Sequence, residues 1–84
     1  MASLEQLRQL IGEILELGDR TATLNSDTRL LGGLPELDSM AVVALITALE
    51  QEFHIIVHDD DIDAETFDTL GSLLEYVRGK QQVI

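Results

Sequence analysis

The chain has 84 residues, 45% of them hydrophobic, which predicts one small folded domain over residues 1–84 and argues against disorder. Sixteen acids against five basic residues give a formal net charge of −11, a surface that repels nucleic acid and anionic membranes. There is no cysteine, which excludes disulfides, thiol catalysis and cysteine-bound zinc; no apolar run reaches bilayer length and no leader-like start is visible, so a cytoplasmic chain without membrane insertion is expected.

Along the chain, Ser3 reads as an N-cap with Gln6 three residues on, the spacing of a capping box. Leu4, Leu7, Ile11 and Ile14 then repeat on one helical face, widened by Leu10 and Leu15, and Gly18 is the expected stop. Asp19 to Asp27 reads as polar loop, with Leu24, Leu30 and Leu31 as its anchors. The connection from Gly18 to Asp38 is long for a compact domain and predicts a functional loop or a hidden short turn of helix. A second helix is expected from Ser39 to Phe53, with Val42, Leu45, Ile46, Leu49 and Phe53 as its core stripe. The stretch His54–Val57 is β-branched but has no convincing strand to pair with, so it reads as an extended linker with Ile55 or Val57 pinned in the core. An acidic loop, Asp59 to Asp63, leads to a short helix from Asp63 to Asp68 carrying Phe67. Thr69 then caps a last helix through Leu70, Leu73, Leu74 and Val77, ending near Gly79, with residues 80–84 expected to fray. The fold class is all-α: a small bundle of three main helices plus one short one.

Ser39 is the residue whose position carries most meaning. Pro35 punctuates the loop, Asp38 is a good N-cap, and the most apolar helical run begins just after it. A hydroxyl at that seam is exposed and faces the positive end of a helix dipole, which welcomes a phosphate. The run Leu34-Pro35-Glu36-Leu37-Asp38-Ser39-Met40 resembles the phosphopantetheine attachment site of acyl carrier proteins, whose usual form is Asp-Ser-Leu. The likeness extends over nearly the whole length: the order of helices, the long first loop, Phe53 closing helix two and Tyr76 in the last helix.

This resemblance implies an acyl-carrier-protein-like bundle and a stand-alone carrier, not an enzyme. It implies that a phosphopantetheinyl transferase makes the Ser39 hydroxyl attack the pyrophosphate of coenzyme A, leaving covalent 4'-phosphopantetheine whose thiol carries acyl groups as thioesters. Asp38 would serve both as helix cap and in recognition by the transferase. Met40 keeps the size and apolarity of the usual leucine. With no cysteine in the chain, the prosthetic thiol would be the only one.

The partner-docking residues expected on helix two are Met40, Val43, Ala44, Thr47, Glu50 and Gln51. Carriers of general fatty acid synthesis typically place acids on the early exposed turns of this helix, and basic patches on acyl-transferring or acyl-activating enzymes read them. Here those turns offer Ala41, Val43, Ala44 and Thr47, with acids arriving late at Glu50 and Glu52, so docking is expected to be apolar at its centre and charged at its rim. The carrier is expected to serve fatty acid or a specialised polyketide, lipid or envelope pathway, and the apolar turns together with the Gly32-Gly33 approach to the serine lean toward a specialised one over the housekeeping one. Nothing in the sequence demands a dimer, and a monomer is expected.

Two other classes compete: an unmodified acidic helical module docking on basic partners, and a small metal-responsive acidic protein. Within the carrier class, an aminoacyl or peptidyl cargo is the alternative. A hydrolase built on Ser39 with His54 or His58 lacks a Gly-x-Ser-x-Gly elbow. A calcium loop starting at Asp59 fails at its sixth position, Ala64, and its twelfth, Leu70, so no metal site is expected.

Overall fold

The computed structural model describes residues 2–58 and 63–81. Among the described residues the elements are three α-helices, α1 (Leu4–Ile14), α2 (Ser39–Phe53) and α3 (Leu70–Gln81), with a 3₁₀ helix (Gly18–Thr23) between α1 and α2. The all-α class expected from the sequence is what forms, and the described residues contain no β-strand beyond one isolated bridge.

Each α-helix starts on a cap that local sequence dictates. The Gln6 N–H donates to Ser3 Oγ (3.2 Å) while the Ser3 N–H donates to Gln6 Oε1 (3.0 Å), completing the capping box of α1. Thr69 and Ser72 repeat that reciprocal pattern at α3, each backbone N–H donating to the other hydroxyl at 3.0 Å. The end of α1 differs from expectation. Glu16, not Gly18, adopts the left-handed conformation that closes the helix (φ 54°), and the Leu17 N–H reaches back to the Gly12 carbonyl at 3.0 Å. Gly18, also left-handed at φ 58°, instead begins the 3₁₀ helix.

The 3₁₀ helix is the short helical turn the long connection hinted at, and it lies against α1. A Cβ at Gly12 would sit 2.2 Å from Thr21 Oγ1, so only glycine allows this approach. The short helix expected over Asp63 to Asp68 does not form. Asp63 Oδ1 accepts from the Thr66 N–H (2.8 Å) and the segment makes isolated turns only. The physical reason is tertiary: the Asp68 and Phe67 carbonyls accept from the Leu30 and Leu31 N–H groups at 2.9 and 3.1 Å. Thr28 and Ser26 carbonyls in turn accept from Leu70 and Gly71, both at 2.9 Å, making an antiparallel seam around the Arg29–Thr69 bridge.

That seam also corrects one anchor. Leu24 and Leu30 are buried as expected, but Leu31 is 37% exposed, because successive residues of extended chain face opposite sides. The core is built from Leu7 and Ile11 of α1, Leu45 and Leu49 of α2, Leu70, Leu73 and Val77 of α3, and Leu30 of the seam, with Phe53 and Phe67 filling its edges. Val42 and Ile46 pack against it from partly buried positions, Ile55 is the buried residue of the linker, and Val57 is half-buried. The end of α3 is firmer than expected. Lys80 and Gln81 are helical, Gln81 Oε1 accepts from the Ala2 N–H (2.6 Å), and Arg78 Nε donates to the Ala2 carbonyl (2.8 Å). The remainder of the tail, residues 82–84, and the acids Asp59 to Asp61 lie outside the described residues.

Candidate functional site: the N-terminus of α2

Asp38 has extended backbone (φ −97°, ψ −176°), and its Oδ1 accepts from the Ala41 N–H at 2.8 Å while its carbonyl accepts from Val42 at 2.9 Å. This is the geometry of an N-cap, and it leaves Ser39 as the first helical residue. Ser39 is exposed, so its hydroxyl stands at the positive end of the α2 dipole with open access.

The loop delivering this residue is fixed by its own turns. Gly33 and Leu34 N–H groups both donate to the Leu30 carbonyl (3.2 and 3.0 Å), Leu37 donates to Leu34 (3.0 Å), and Asp38 donates to Glu36 (3.1 Å). A Cβ at Gly33 would meet the Arg29 carbonyl oxygen at 2.3 Å, so the first turn requires glycine. Leu37 buries its side chain in the core, and the Glu36 carboxylate pairs with Arg20 of the 3₁₀ helix. The Glu36 carboxyl is held below its ordinary value. Its own backbone amide contributes most; desolvation opposes this, and the hydrogen bond and charge of Arg20 add to it.

Beyond Ser39, the surface of α2 is unusually apolar. Met40 is 81% exposed and Val43 64% exposed, and Ala44, Thr47 and Gln51 continue the same stripe at helical spacing, all exposed. Glu50 stands apart from these five. It is half-buried, and its Oε2 accepts from the Val57 N–H at 3.0 Å, so its carboxylate fastens the linker after α2. The His54 backbone, left-handed at φ 55°, closes the helix there.

His54 is out of reach of Ser39 as a hydrolase partner. His54 lies fifteen residues beyond Ser39, at the opposite end of α2, which is roughly 22 Å at 1.5 Å per residue. Two grooves of about 540 and 230 Å³ run along α1, lined by residues such as Glu5, Gln9 and Glu13, and neither includes Ser39. The serine is presented to solvent, which suits a residue that another enzyme modifies. A long prosthetic arm fits there: the hydroxyl is open among the described residues, and the neighbouring carboxylate of Asp38 is engaged by Ala41.

A family model described as a phosphopantetheine attachment site matches residues 5–77, which span the cap, Ser39 and all of α2. Acyl carrier proteins from strains of Clostridium perfringens are 33% identical over 75 residues, covering 87% of this chain and 90% of theirs. The chain belongs to the acyl carrier protein family. The solution NMR structure of a holo acyl carrier protein from Nitrosomonas europaea is similar throughout, with a TM-score of 0.89 and 52% identity over 99% of this chain and 100% of that one. As a member of this family the protein is a carrier and not an enzyme, and its cofactor is covalent 4'-phosphopantetheine. Its partners, at the level of the family, are a phosphopantetheinyl transferase and enzymes that handle acyl groups. Among the described residues no helix is long and apolar enough to cross a membrane.

Two features of the site were not visible in sequence. One is the Arg20–Glu36 pair, which joins residues sixteen apart; the other is the use of Glu50 as a fastener. Neither has a local pattern. The only sequence signal for the first is that Arg20 is the one basic residue between Arg8 and Arg29.

Proposed function

We propose that Ser39 is the residue that carries 4'-phosphopantetheine. The observation that supports this most is its position: an exposed hydroxyl on the first residue of α2, directly after a cap made by Asp38, inside the matched stretch of the family. The transferase would deprotonate or orient that hydroxyl for attack on the β-side pyrophosphate linkage of coenzyme A, releasing adenosine 3',5'-bisphosphate. Asp38 sets the approach by holding the helix start and offers the transferase a fixed acidic residue beside the target. The arm, once attached, supplies a thiol on which acyl groups ride as thioesters between enzymes.

Partner enzymes dock along Met40, Val43, Ala44, Thr47 and Gln51, with charge at the rim from Glu52 and neighbouring acids. The exposed methionine and valine support this, since such surface on a folded domain marks contact with something else. Glu50 belongs to the rim only through its backbone position, because its carboxylate already serves Val57. An apolar centre favours a specialised polyketide, lipid or envelope pathway over the housekeeping role, with the carrier acting as a cytoplasmic monomer.

Intact mass after incubation with coenzyme A and a broad-specificity phosphopantetheinyl transferase tests the attachment. The native chain should gain one phosphopantetheine, and Ser39→Ala should gain none while keeping its helical circular dichroism, since an exposed position in the first turn costs about 1 kcal/mol or less. A loaded Ser39→Ala chain would place the group elsewhere.

A further inference from the structure

The cations on the described part of α1 and its following loops each sit against a different acid: Arg8 by Glu5, Arg20 by Glu36 and Arg29 by Asp68. The Arg20 pair differs from the others in what it joins. Glu36 is three residues before Ser39, between Pro35 and the buried Leu37, and its carbonyl accepts the Asp38 N–H. Its side chain crosses to the 3₁₀ helix, where Oε2 accepts from Arg20. The second carboxylate oxygen, Oε1, is closed off from solvent and has no hydrogen-bond partner, and the Arg20 guanidinium adds to Glu36's own backbone amide in compensating the charge of this group.

We infer that the Arg20–Glu36 pair is a positioning latch: it ties the 3₁₀ helix to the loop in front of Ser39 and keeps Asp38 and Ser39 in the geometry a transferase receives. The inference rests on the reading of Ser39 as the attachment residue. On its C-terminal side Ser39 is held by α2 itself; on its N-terminal side the Leu34 and Leu37 side chains, the loop's turns and this pair define where the chain runs. The partners are about half and one-third exposed, so the pair contributes little to global stability. Its effect is on the fraction of molecules whose attachment loop is in register. A smaller competent fraction weakens apparent binding by that fraction, which raises KM and leaves kcat unchanged. Arg20 and Glu36 are thus positioning residues, acting through Asp38 and the helix start.

The test compares the native chain with Arg20→Ala, Glu36→Gln and the charge-reversed double variant Arg20→Glu/Glu36→Arg, using the same transferase and coenzyme A. Each single variant should keep its thermal midpoint nearly unchanged and raise KM about threefold to fivefold with kcat retained. The reversed pair should return KM toward native. Amide exchange of the unmodified chain gives an independent readout: Asp38 and Ala41 should exchange faster in the single variants, while Leu73 and Val77 should not. Unchanged KM and unchanged exchange would overturn the latch. Slowed single variants that the reversal does not rescue would overturn it too, since the side chains would then be acting on the transferase directly. A native chain that accepts no phosphopantetheine would defeat the Ser39 reading instead, and the exchange measurement would still decide the latch.

Discussion

α2 and α3 are comparable in length, 15 and 12 residues, and both carry leucines at helical spacing, yet they treat apolar surface in opposite ways. In α3 the apolar residues Leu70, Leu73, Leu74 and Val77 are all buried, and the remaining faces are polar or small. α2 buries Leu45, Leu49 and Phe53 just as well, but leaves Met40 and Val43 in water. Stability alone explains α3. It does not account for the outer face of α2, whose exposed Met40 and Val43 gain little from folding and which the docking proposal assigns to a partner. The difference separates a helix that serves the core alone from one that serves the core on one side and, on the docking proposal, a partner on the other.

The starts of the two helices differ in the same sense. The start of α3 is locked by a reciprocal Thr69–Ser72 cap and by the seam to Ser26 and Thr28. At α2 the start is capped by Asp38, but the loop before it relies on a charged contact between Arg20 and Glu36. Burial and backbone pairing hold one end; side-chain electrostatics help to hold the other.

The sharpest way to break this comparison is in the α3 core. Leu73→Ala removes a fully buried side chain and should cost about 2–5 kcal/mol in urea unfolding, which for so small a domain threatens folding itself. A cost near zero would mean that α3 is not the stabilising helix. At α2 the expected pattern is reversed. Ala44→Glu, on the exposed stripe, should change stability by no more than about 0.5 kcal/mol while weakening turnover by partner enzymes. Equal turnover would remove the reason for calling the stripe a docking surface.

The smallest effect concerns pH. The Glu36 carboxyl is depressed below its ordinary value of 4.5, so its contribution is present above that value and is lost as pH falls through the depressed one. Acidification below the ordinary carboxylate range should therefore loosen the amides of Asp38 and Ala41 more in the native chain than in Glu36→Gln, which has no carboxyl to protonate. Hydrogen exchange at several acidic pH values checks this. Equal responses in the two chains would show that other carboxylates, such as Asp38 itself, govern the helix start.

Much of the molecule follows from rules that act over three or four residues. The Ser3–Gln6 box, the Asp38 cap, the Thr69 cap and the leucine spacing of α1, α2 and α3 were all legible, and so was the exposure of Ser39, because a residue just inside a capped helix has few ways to be hidden. Even the linker His54–Val57 could be read correctly, from the lack of any strand for it to pair with.

What tertiary structure alone decided involves partners far apart in the chain. The seam between residues 26–31 and 67–71 turned Leu31 outward and replaced the expected helix after Asp63 with turns. The approach of Thr21 to Gly12 and the pairing of Arg20 with Glu36 gave the long loop its course, and the call of Val57 on Glu50 drew a carboxylate away from the surface. Helix periodicity and capping are local energies, so the sequence by itself determined where helices begin and which faces are apolar. Backbone groups outside helices must find hydrogen bonds wherever the fold brings a partner within reach, and only the assembled core determines which partner that is.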